Sequence, residues 1–394
     1  MRIGILCLVL GYILSQFYRA FLAVLTPILE NDMGVTSSNL ATASGLWFLA
    51  FAIMQIPVGE ALDRIGPRIT SAALFAFGGA GGVLVFGLAQ SPMHINIALV
   101  LIGIGCSPIL MASYYIFAKV YSPAVFATLA GVVIGVGSIG NLASSAPLAW
   151  AINTFGWRET MFGLSAITLL VSIALLVFIK DPPKTDIETP KGSVLDVLKI
   201  RALWLIIPMM FVNYAPAAGL RGLWIGPFGI ETFKADAALI GTMTLVMALS
   251  MIAGNFAYGP LDRLFGTRKW VVFVGNALGA LGCFILAVLP NTSGVWMATA
   301  LLGLVGLSGA SFPVIMAHAR PFIPAHLMGR GVTVMNLFGI GGAGVMQFVT
   351  GRLMTYLQAD PVLAPIAYQI LFGFYGLLIC CGLAIYAFSA DRTD

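Results

Sequence analysis

Along the whole 394-residue chain, apolar residues gather in long, almost uninterrupted runs separated by short polar breaks. Twelve runs can be marked, at 3–29, 40–61, 70–90, 95–118, 126–150, 159–179, 203–229, 238–260, 270–289, 295–318, 329–353 and 364–388. Each is about 20 residues or more, the length an α-helix needs to cross a hydrocarbon core of roughly 30 Å. Inside lipid the backbone must satisfy its own hydrogen bonds. None of the runs alternates apolar with polar positions as a barrel strand does. The pattern predicts an all-α membrane protein with twelve transmembrane helices.

Composition removes the main competing class. Apolar residues make up 60% of the chain and charged residues 9%, against about 45–50% and 25% in soluble domains. The first run is too long for a signal-peptide core, carries Arg19 and lacks a small-residue cleavage site, so it is expected to stay as the first helix.

Charge then sets the orientation. With both termini in the cytoplasm, the inner loops and helix ends hold Arg2, Arg64, Arg68, Lys119, Lys180, Lys184, Lys191, Lys199, Arg201, Arg263, Arg268, Lys269, Arg320, Arg330 and Arg392. The outer ones hold only Arg158, Lys234 and Arg352. This is the positive-inside bias. The net charge of +5 therefore reflects orientation and gives no sign of nucleic-acid binding. Compact loops suggest a bacterial inner membrane.

The longest polar stretch contains Asp181-Pro182-Pro183-Lys184 and then mixed charge, and it reads as a cytoplasmic linker. It divides the chain into an N-terminal six-helix bundle (1–180), the linker (181–202) and a C-terminal six-helix bundle (203–394). The halves repeat in register. Gly59-Glu60-Ala61-Leu62-Asp63-Arg64-Ile65-Gly66-Pro67-Arg68 follows the second run, and Gly259-Pro260-Leu261-Asp262-Arg263-Leu264-Phe265-Gly266-Thr267-Arg268 follows the eighth. Gln55 matches Asn255, and Lys119-Val120-Tyr121-Ser122-Pro123-Ala124 resembles Arg320-Pro321-Phe322-Ile323-Pro324-Ala325. A carboxylate and guanidinium at the cytoplasmic end of a helix can pair with a neighbouring helix. Asp63, Arg64, Arg68, Asp262, Arg263 and Arg268 are therefore candidate gate residues.

These features resemble the major facilitator superfamily over the whole chain. The shared pattern comprises twelve helices, a 6+6 division, a polar central linker, the loop motif G-x-x-x-D-R-x-G-x-R in both halves, and Gly156-Trp157-Arg158 ahead of the sixth helix. The resemblance implies two six-helix bundles that give alternating access to a central site. Two departures speak against a drug/proton antiporter. Leu99 stands where an Arg often precedes the Gly103-Ile104-Gly105 segment, and the Gly-Pro-rich motif of the fifth helix is missing, with Pro147 out of place.

Within the runs, two ionisable residues stand out, Arg19 in the first and Arg221 in the seventh. Charged residues in a membrane are costly and are functional candidates by default. The two are 202 positions apart, so they occupy equivalent places in the halves. Arginine stays charged and offers a planar fork of donors to a carboxylate or phosphate. A small organic anion held between Arg19 and Arg221 would offset their desolvation and link binding to closure. Phe17-Tyr18-Arg19 followed by Pro27 also resembles organic-phosphate and organic-anion branches of the superfamily. Gln16, Tyr18, Tyr114, Tyr115, Asn141, Asn213, Trp224 and Asn336 are further candidates for the substrate cavity. Each of them serves equally well as a helix-packing group.

Other signals carry no chemistry. Gly135-Val136-Gly137-Ser138-Ile139-Gly140 spells a dinucleotide fingerprint but lies in an apolar helix with no strand before it. His94, His318 and His326 are scattered, and Cys7, Cys106, Cys283, Cys380 and Cys381 read as packing residues without metal-ligand spacing. Asn291-Thr292-Ser293 is a bare sequon. No cofactor, metal or enzyme activity is expected. The expected partners are the bilayer and a small anionic substrate, with the carrier acting as a monomer. Efflux of amphipathic or neutral compounds is the competing reading. Because Asp and Glu occur only near helix ends, anion exchange and facilitated diffusion stay open beside proton symport through Glu30 or Glu60.

Overall fold

The computed structural model describes residues 2–121, 123–182, 194–289, 294–324 and 327–392. The middle of the linker (183–193), Ser122, the Asn291-Thr292-Ser293 sequon, Ala325 and His326 lie outside the described residues. So do the side chains of Asp63, Asp262 and Arg263. Among the described residues there is no strand.

The chain divides into two compact units. The first is Met1–Ile187 with Asp236–Thr242, and the second is Glu188–Ala235 with Met243–Asp394. In the first half run α1 (Arg2–Phe17), α2 (Leu22–Met33), α3 (Ser37–Arg64), α4 (Pro67–Leu74), a π-helical turn Phe75–Ala80, α5 (Gly81–Gly87), α6 (Pro92–Val120), α7 (Pro123–Ala143), α8 (Ala146–Phe155) and α9 (Trp157–Phe178). In the second run α10 (Val194–Leu198), a 3-10 turn Arg201–Leu205, α11 (Ile207–Gly219), a π-helical turn Leu220–Trp224, α12 (Ile225–Phe233), α13 (Ala237–Phe265), α14 (Lys269–Val288), α15 (Val295–Gly309), α16 (Phe312–Ala319), α17 (Met328–Ala359) and α18 (Ala367–Tyr386). Ten helical stretches are long and apolar enough to cross a membrane. Two bent pairs, Ile3–Phe17 with Leu22–Met33 and Val132–Ala143 with Ala146–Phe155, bring the number to twelve. The protein is an all-α, multi-pass membrane protein.

The breaks in the fifth and tenth spans have a common cause. Pro147 lacks an N–H and its ring would collide with the carbonyl four residues earlier, so α7 ends at Ala143. Pro313 does the same to Gly309 at the end of α15. Hydroxyls cover the freed carbonyls: Ser144 donates to Asn141 O at 3.0 Å and Ser145 to Leu142 O at 2.5 Å.

The repeat read in the sequence extends to backbone detail. Gly34 (φ 62°) and Lys234 (φ 53°) both close their helices in the left-handed conformation. Two residues on, Thr36 and Asp236 cap the next helix, Thr36 accepting from Asn39 N at 3.2 Å and Asp236 from Leu239 N at 2.8 Å. Close helix crossings repeat as well. At Gly140 a Cβ would lie 2.9 Å from Phe17 N and overlap the Ile13 carbonyl. At Gly342 it would lie 2.9 Å from Phe211 C and overlap that carbonyl. The helices bearing the two arginines thus rest on glycine in each half.

Candidate functional site

Both candidate arginines sit where a membrane helix loses its regular geometry. In the first span the chain bends by 50° between α1 and α2. The amides of Arg19 and Ala20 step back three residues, to Gln16 O at 3.3 Å and Phe17 O at 3.1 Å. Phe17, Tyr18 and Phe21 pack on one another around this turn, with ring centroids 5.5–6.2 Å apart. Arg19 is half-buried, and among the described residues its side chain makes no hydrogen bond or ion pair. Its guanidinium carbon instead lies 4.8 Å from the Phe51 ring centroid and 5.5 Å from that of Trp47. Cation–π contacts of this kind contribute about 0.5–2 kcal/mol, and they leave the N–H fork available for an anion.

Trp47 and Phe51 of α3 stack at 5.2 Å and 16°. Trp47 is 1% exposed, yet its Nε1 has no hydrogen-bond partner among the described residues. Trp47 carries no charge and belongs to no motif; the one signal for it in the sequence is the four-residue spacing to Phe51, which places both rings on one helix face. Gln16 donates from Nε2 to Tyr12 Oη at 3.1 Å, while its Oε1 is buried and unbonded. Tyr18 is engaged inside the unit: its hydroxyl donates to Thr168 Oγ1 at 2.7 Å, whose own proton goes to Leu164 O. Tyr114 and Tyr115 are half-buried on α6, with Lys119 Nζ 4.8 Å from the Tyr115 ring centroid, and Asn141 is half-buried on α7.

In the second unit Arg221 lies within the π-helical turn Leu220–Trp224 and is 1% exposed. Such turns disrupt regular pairing and recur at functional sites. Trp224, in the same turn, is fully buried and donates to Thr350 Oγ1 at 3.1 Å. Asn213 belongs to a separate polar knot two turns earlier. Its Nδ2 donates to Asn276 Oδ1 at 2.7 Å and to Ser311 Oγ at 2.9 Å, joining α11, α14 and the break before α16. Asn336 is half-buried on α17.

The two G-x-x-x-D-R-x-G-x-R loop motifs make contacts inside their own units. Arg68 Nε donates to Leu176 O at 2.6 Å, and its amide donates to Asp181 Oδ1 at 2.8 Å. Gly66 is required here twice over, because its φ is +106° and a Cβ would come within 2.8 Å of Asp181 Oδ1. The second half repeats the arrangement. Asp391 accepts from the Thr267 hydroxyl and from the amides of Arg268 and Lys269 at 3.3 and 3.1 Å. Arg268 Nη1 reaches Ala317 O and Arg392 O, each at 3.4 Å. Burial pushes the Asp391 carboxyl up, but Thr267, the two amides and the nearby His318 outweigh it and hold it below the ordinary carboxylate range. His318 Nε2 donates to Ala390 O at 2.8 Å and receives the Tyr386 hydroxyl on Nδ1 at 2.6 Å. Arg64 pairs with Glu60 at 2.7 Å on the surface, a contact worth about 0–1 kcal/mol.

On the opposite side, Gly156 (φ 92°) opens α9. Trp157 Nε1 donates to Asp32 Oδ2 at 2.9 Å, and Arg158 Nη1 donates to Gly87 O and Ala89 O, both at 2.9 Å. The Gly156-Trp157-Arg158 segment thereby ties α9 to the ends of α2 and α5. Among the described residues no group of His, Cys, Asp and Glu could hold a metal ion.

The similarities to known proteins agree with this architecture. The family model of the Major Facilitator Superfamily matches residues 8–232. An uncharacterized transporter of Bacillus subtilis is 22% identical, covering 95% of this chain and 91% of its own. A probable sulfoacetate transporter of Cupriavidus necator is 25% identical, covering 91% and 86%, and a hexuronate transporter of Escherichia coli is 25% identical, covering 70% and 71%. Among solved structures, a bacterial homolog of the human lysosomal transporter Spinster superposes with a TM-score of 0.77 at 17% identity, covering 98% of this chain and 96% of that one. The D-xylose–proton symporter gives 0.77 at 15% identity, covering 98% and 97%. The chain is a transporter, not an enzyme, and it belongs to the major facilitator superfamily.

Proposed function

We propose that this transporter moves a small organic anion across the membrane by alternating access, with Arg19 of the first unit and Arg221 of the second as its charged anchors. The observation that carries the reading is the repeated placement of arginine in an irregular turn of equivalent helices, with Arg19 free of any carboxylate partner among the described residues. Relatives named as sulfoacetate, hexuronate, tartrate and sialic acid transporters support an anionic substrate. A guanidinium buried in the membrane is costly, and a bound anion offsets that cost only while both bundles engage it. Gln16, Trp224 and the half-buried Tyr114, Tyr115, Asn141 and Asn336 are the polar groups that shape the rest of the cavity in this reading.

The same reading assigns Arg68 and Arg268 to bracing: Arg68 fastens its loop to the end of α9, and Arg268 reaches α16 and the segment after α18, so that each unit moves as a body. Asp63, Arg64, Asp262 and Arg263 are the remaining gate candidates. The positive-inside bias supports cytoplasmic termini, and the bacterial relatives support an inner-membrane location.

The test is uptake of labelled organic anions into proteoliposomes. Arg19→Gln and Arg221→Gln are expected to abolish it while expression and folding persist. Normal uptake by both variants overturns the assignment, and competition by uncharged amphiphiles that survives Arg19→Gln would favour efflux of such compounds.

A further inference from the structure

Among the buried side-chain atoms of the second unit that find no hydrogen-bond partner among the described residues are both amide atoms of Gln347 and the hydroxyl of Tyr375. They belong to one place. Both side chains are fully buried, on α17 and α18, and both approach Gly219, the last residue of α11 before the π-helical turn. A Cβ at Gly219 would overlap the Tyr375 hydroxyl and lie 3.7 Å from Gln347 Nε2. The neighbouring Trp224–Thr350 pair is already satisfied, because Thr350 accepts the indole proton and passes its own to Met346 O at 2.8 Å. The Tyr375 hydroxyl lies beside that pair and interacts with both Thr350 and Trp224, but outside the geometry of a full hydrogen bond.

An amide and a hydroxyl left unpaired in the interior of a membrane protein cost stability, since no bulk water is there to relieve them. Leucine and phenylalanine would fill the same space without that cost. The chemistry of the two groups narrows what completes them. Gln347 offers two donors and an acceptor, and the Tyr375 hydroxyl is both donor and acceptor. A bare carboxylate oxygen accepts only, so it would serve Nε2 and the phenol but strand Oε1. A hydroxyl donates to Oε1 and accepts from Nε2 or the phenol at once. A cation is disfavoured by Arg221, two residues beyond Gly219.

We propose that Gln347 and Tyr375 recognise a hydroxyl group of the transported anion, so that the carrier selects hydroxylated carboxylates over their deoxy counterparts. This rests on the anion reading above and adds the substrate class to it. The selection arises because the deoxy analogue leaves buried polar groups unpaired. A trapped water offers the same chemistry, and the experiment separates the two.

The experiment measures thermal stabilisation of the purified full-length protein by D-galacturonate, gluconate, tartrate, malate and succinate, the last three differing only in hydroxyl number. It uses the wild type, Gln347→Leu, Tyr375→Phe and Arg221→Gln. In the wild type a hydroxy acid is expected to bind at least tenfold more tightly than succinate. Gln347→Leu and Tyr375→Phe are expected to cut that ratio below threefold, with ligand-free melting temperatures unchanged or raised. The proposal is overturned if no hydroxy acid stabilises the wild type, or if succinate binds as well as tartrate and malate. It is also overturned if the variants keep the wild-type ratio while their ligand-free stability falls, which is the signature of a structural water. Arg221→Gln reports separately: retained binding of all the acids in that variant defeats the anion reading, whatever Gln347→Leu does.

Discussion

Replacing Gly140 by alanine tests the packing that holds Arg19 in place. Ordinary contacts of a Cβ begin at 3.4 Å, and the new methyl would lie 2.9 Å from Phe17 N, a shortfall of 0.5 Å, with deeper overlap at the Ile13 carbonyl. Both obstacles are backbone atoms of α1, so no side chain can turn aside. The helix as a whole must shift. Overpacking of this kind costs about 1–3 kcal/mol. Gly135, five residues earlier on α7, is the matched control, because a Cβ there meets nothing within 4 Å. Alanine at that exposed position should stabilise the helix by up to about 1 kcal/mol through propensity alone. The two substitutions are chemically identical, and their effects should have opposite signs. The assay is thermal unfolding of the purified protein in detergent, followed by anion uptake in liposomes. Gly140→Ala should melt lower and transport less, since the displaced segment ends two residues before Arg19. A Gly140→Ala protein as stable as Gly135→Ala would refute the reasoning. Gly342 and its open neighbour Gly341 offer the same comparison in the second half.

Trp47→Phe keeps a ring beside Arg19 but removes an indole N–H that has no partner among the described residues. Its melting temperature should hold or rise, and its anion affinity should fall if that N–H serves the bound anion; unchanged affinity would leave Trp47 with packing alone. The depressed Asp391 carboxyl contributes stability that is present above the ordinary carboxylate value of about 3.9 and lost as pH falls through its lower folded value. Unfolding measured from pH 7 downward should show this loss in the wild type, and Asp391→Asn should flatten it. An unaltered pH profile in the variant would remove the cap from the account.

The twelve spans, the duplication and both arginines were legible because each rests on a one-dimensional signal: apolar length, motif register, and charge inside an apolar run. The bends at Tyr18–Phe21 and in the turn Leu220–Trp224 were not. No proline or glycine sits between Tyr18 and Phe21, and the change to three-residue hydrogen bonds there depends on how three aromatic rings pack. The break after Ala143 was legible in principle, because Pro147 forbids continuation. Side-chain partners were the least legible. Tyr18 and Asn213 were expected as cavity or packing groups, and their bonds go to Thr168 and Asn276, residues whose proximity is set by helix rotation. Arg68 and Arg268 each reach a neighbouring helix, at Leu176 and Ala317, but which carbonyl each meets is not written in the motif, and Asp181 and Asp391, which complete the two loops, lie more than a hundred residues away in sequence.

Whether Arg19 and Arg221 together bind the substrate is read out by ligand-dependent thermal stabilisation. Binding to the folded state raises the melting temperature with occupancy, so organic anions, inorganic anions and lipophilic cations can be compared on the wild type, Arg19→Gln and Arg221→Gln. If the two arginines hold the substrate, an organic anion stabilises the wild type and loses its effect in both variants. Stabilisation by neutral or cationic amphiphiles alone, unchanged when either arginine is neutralised, would contradict it.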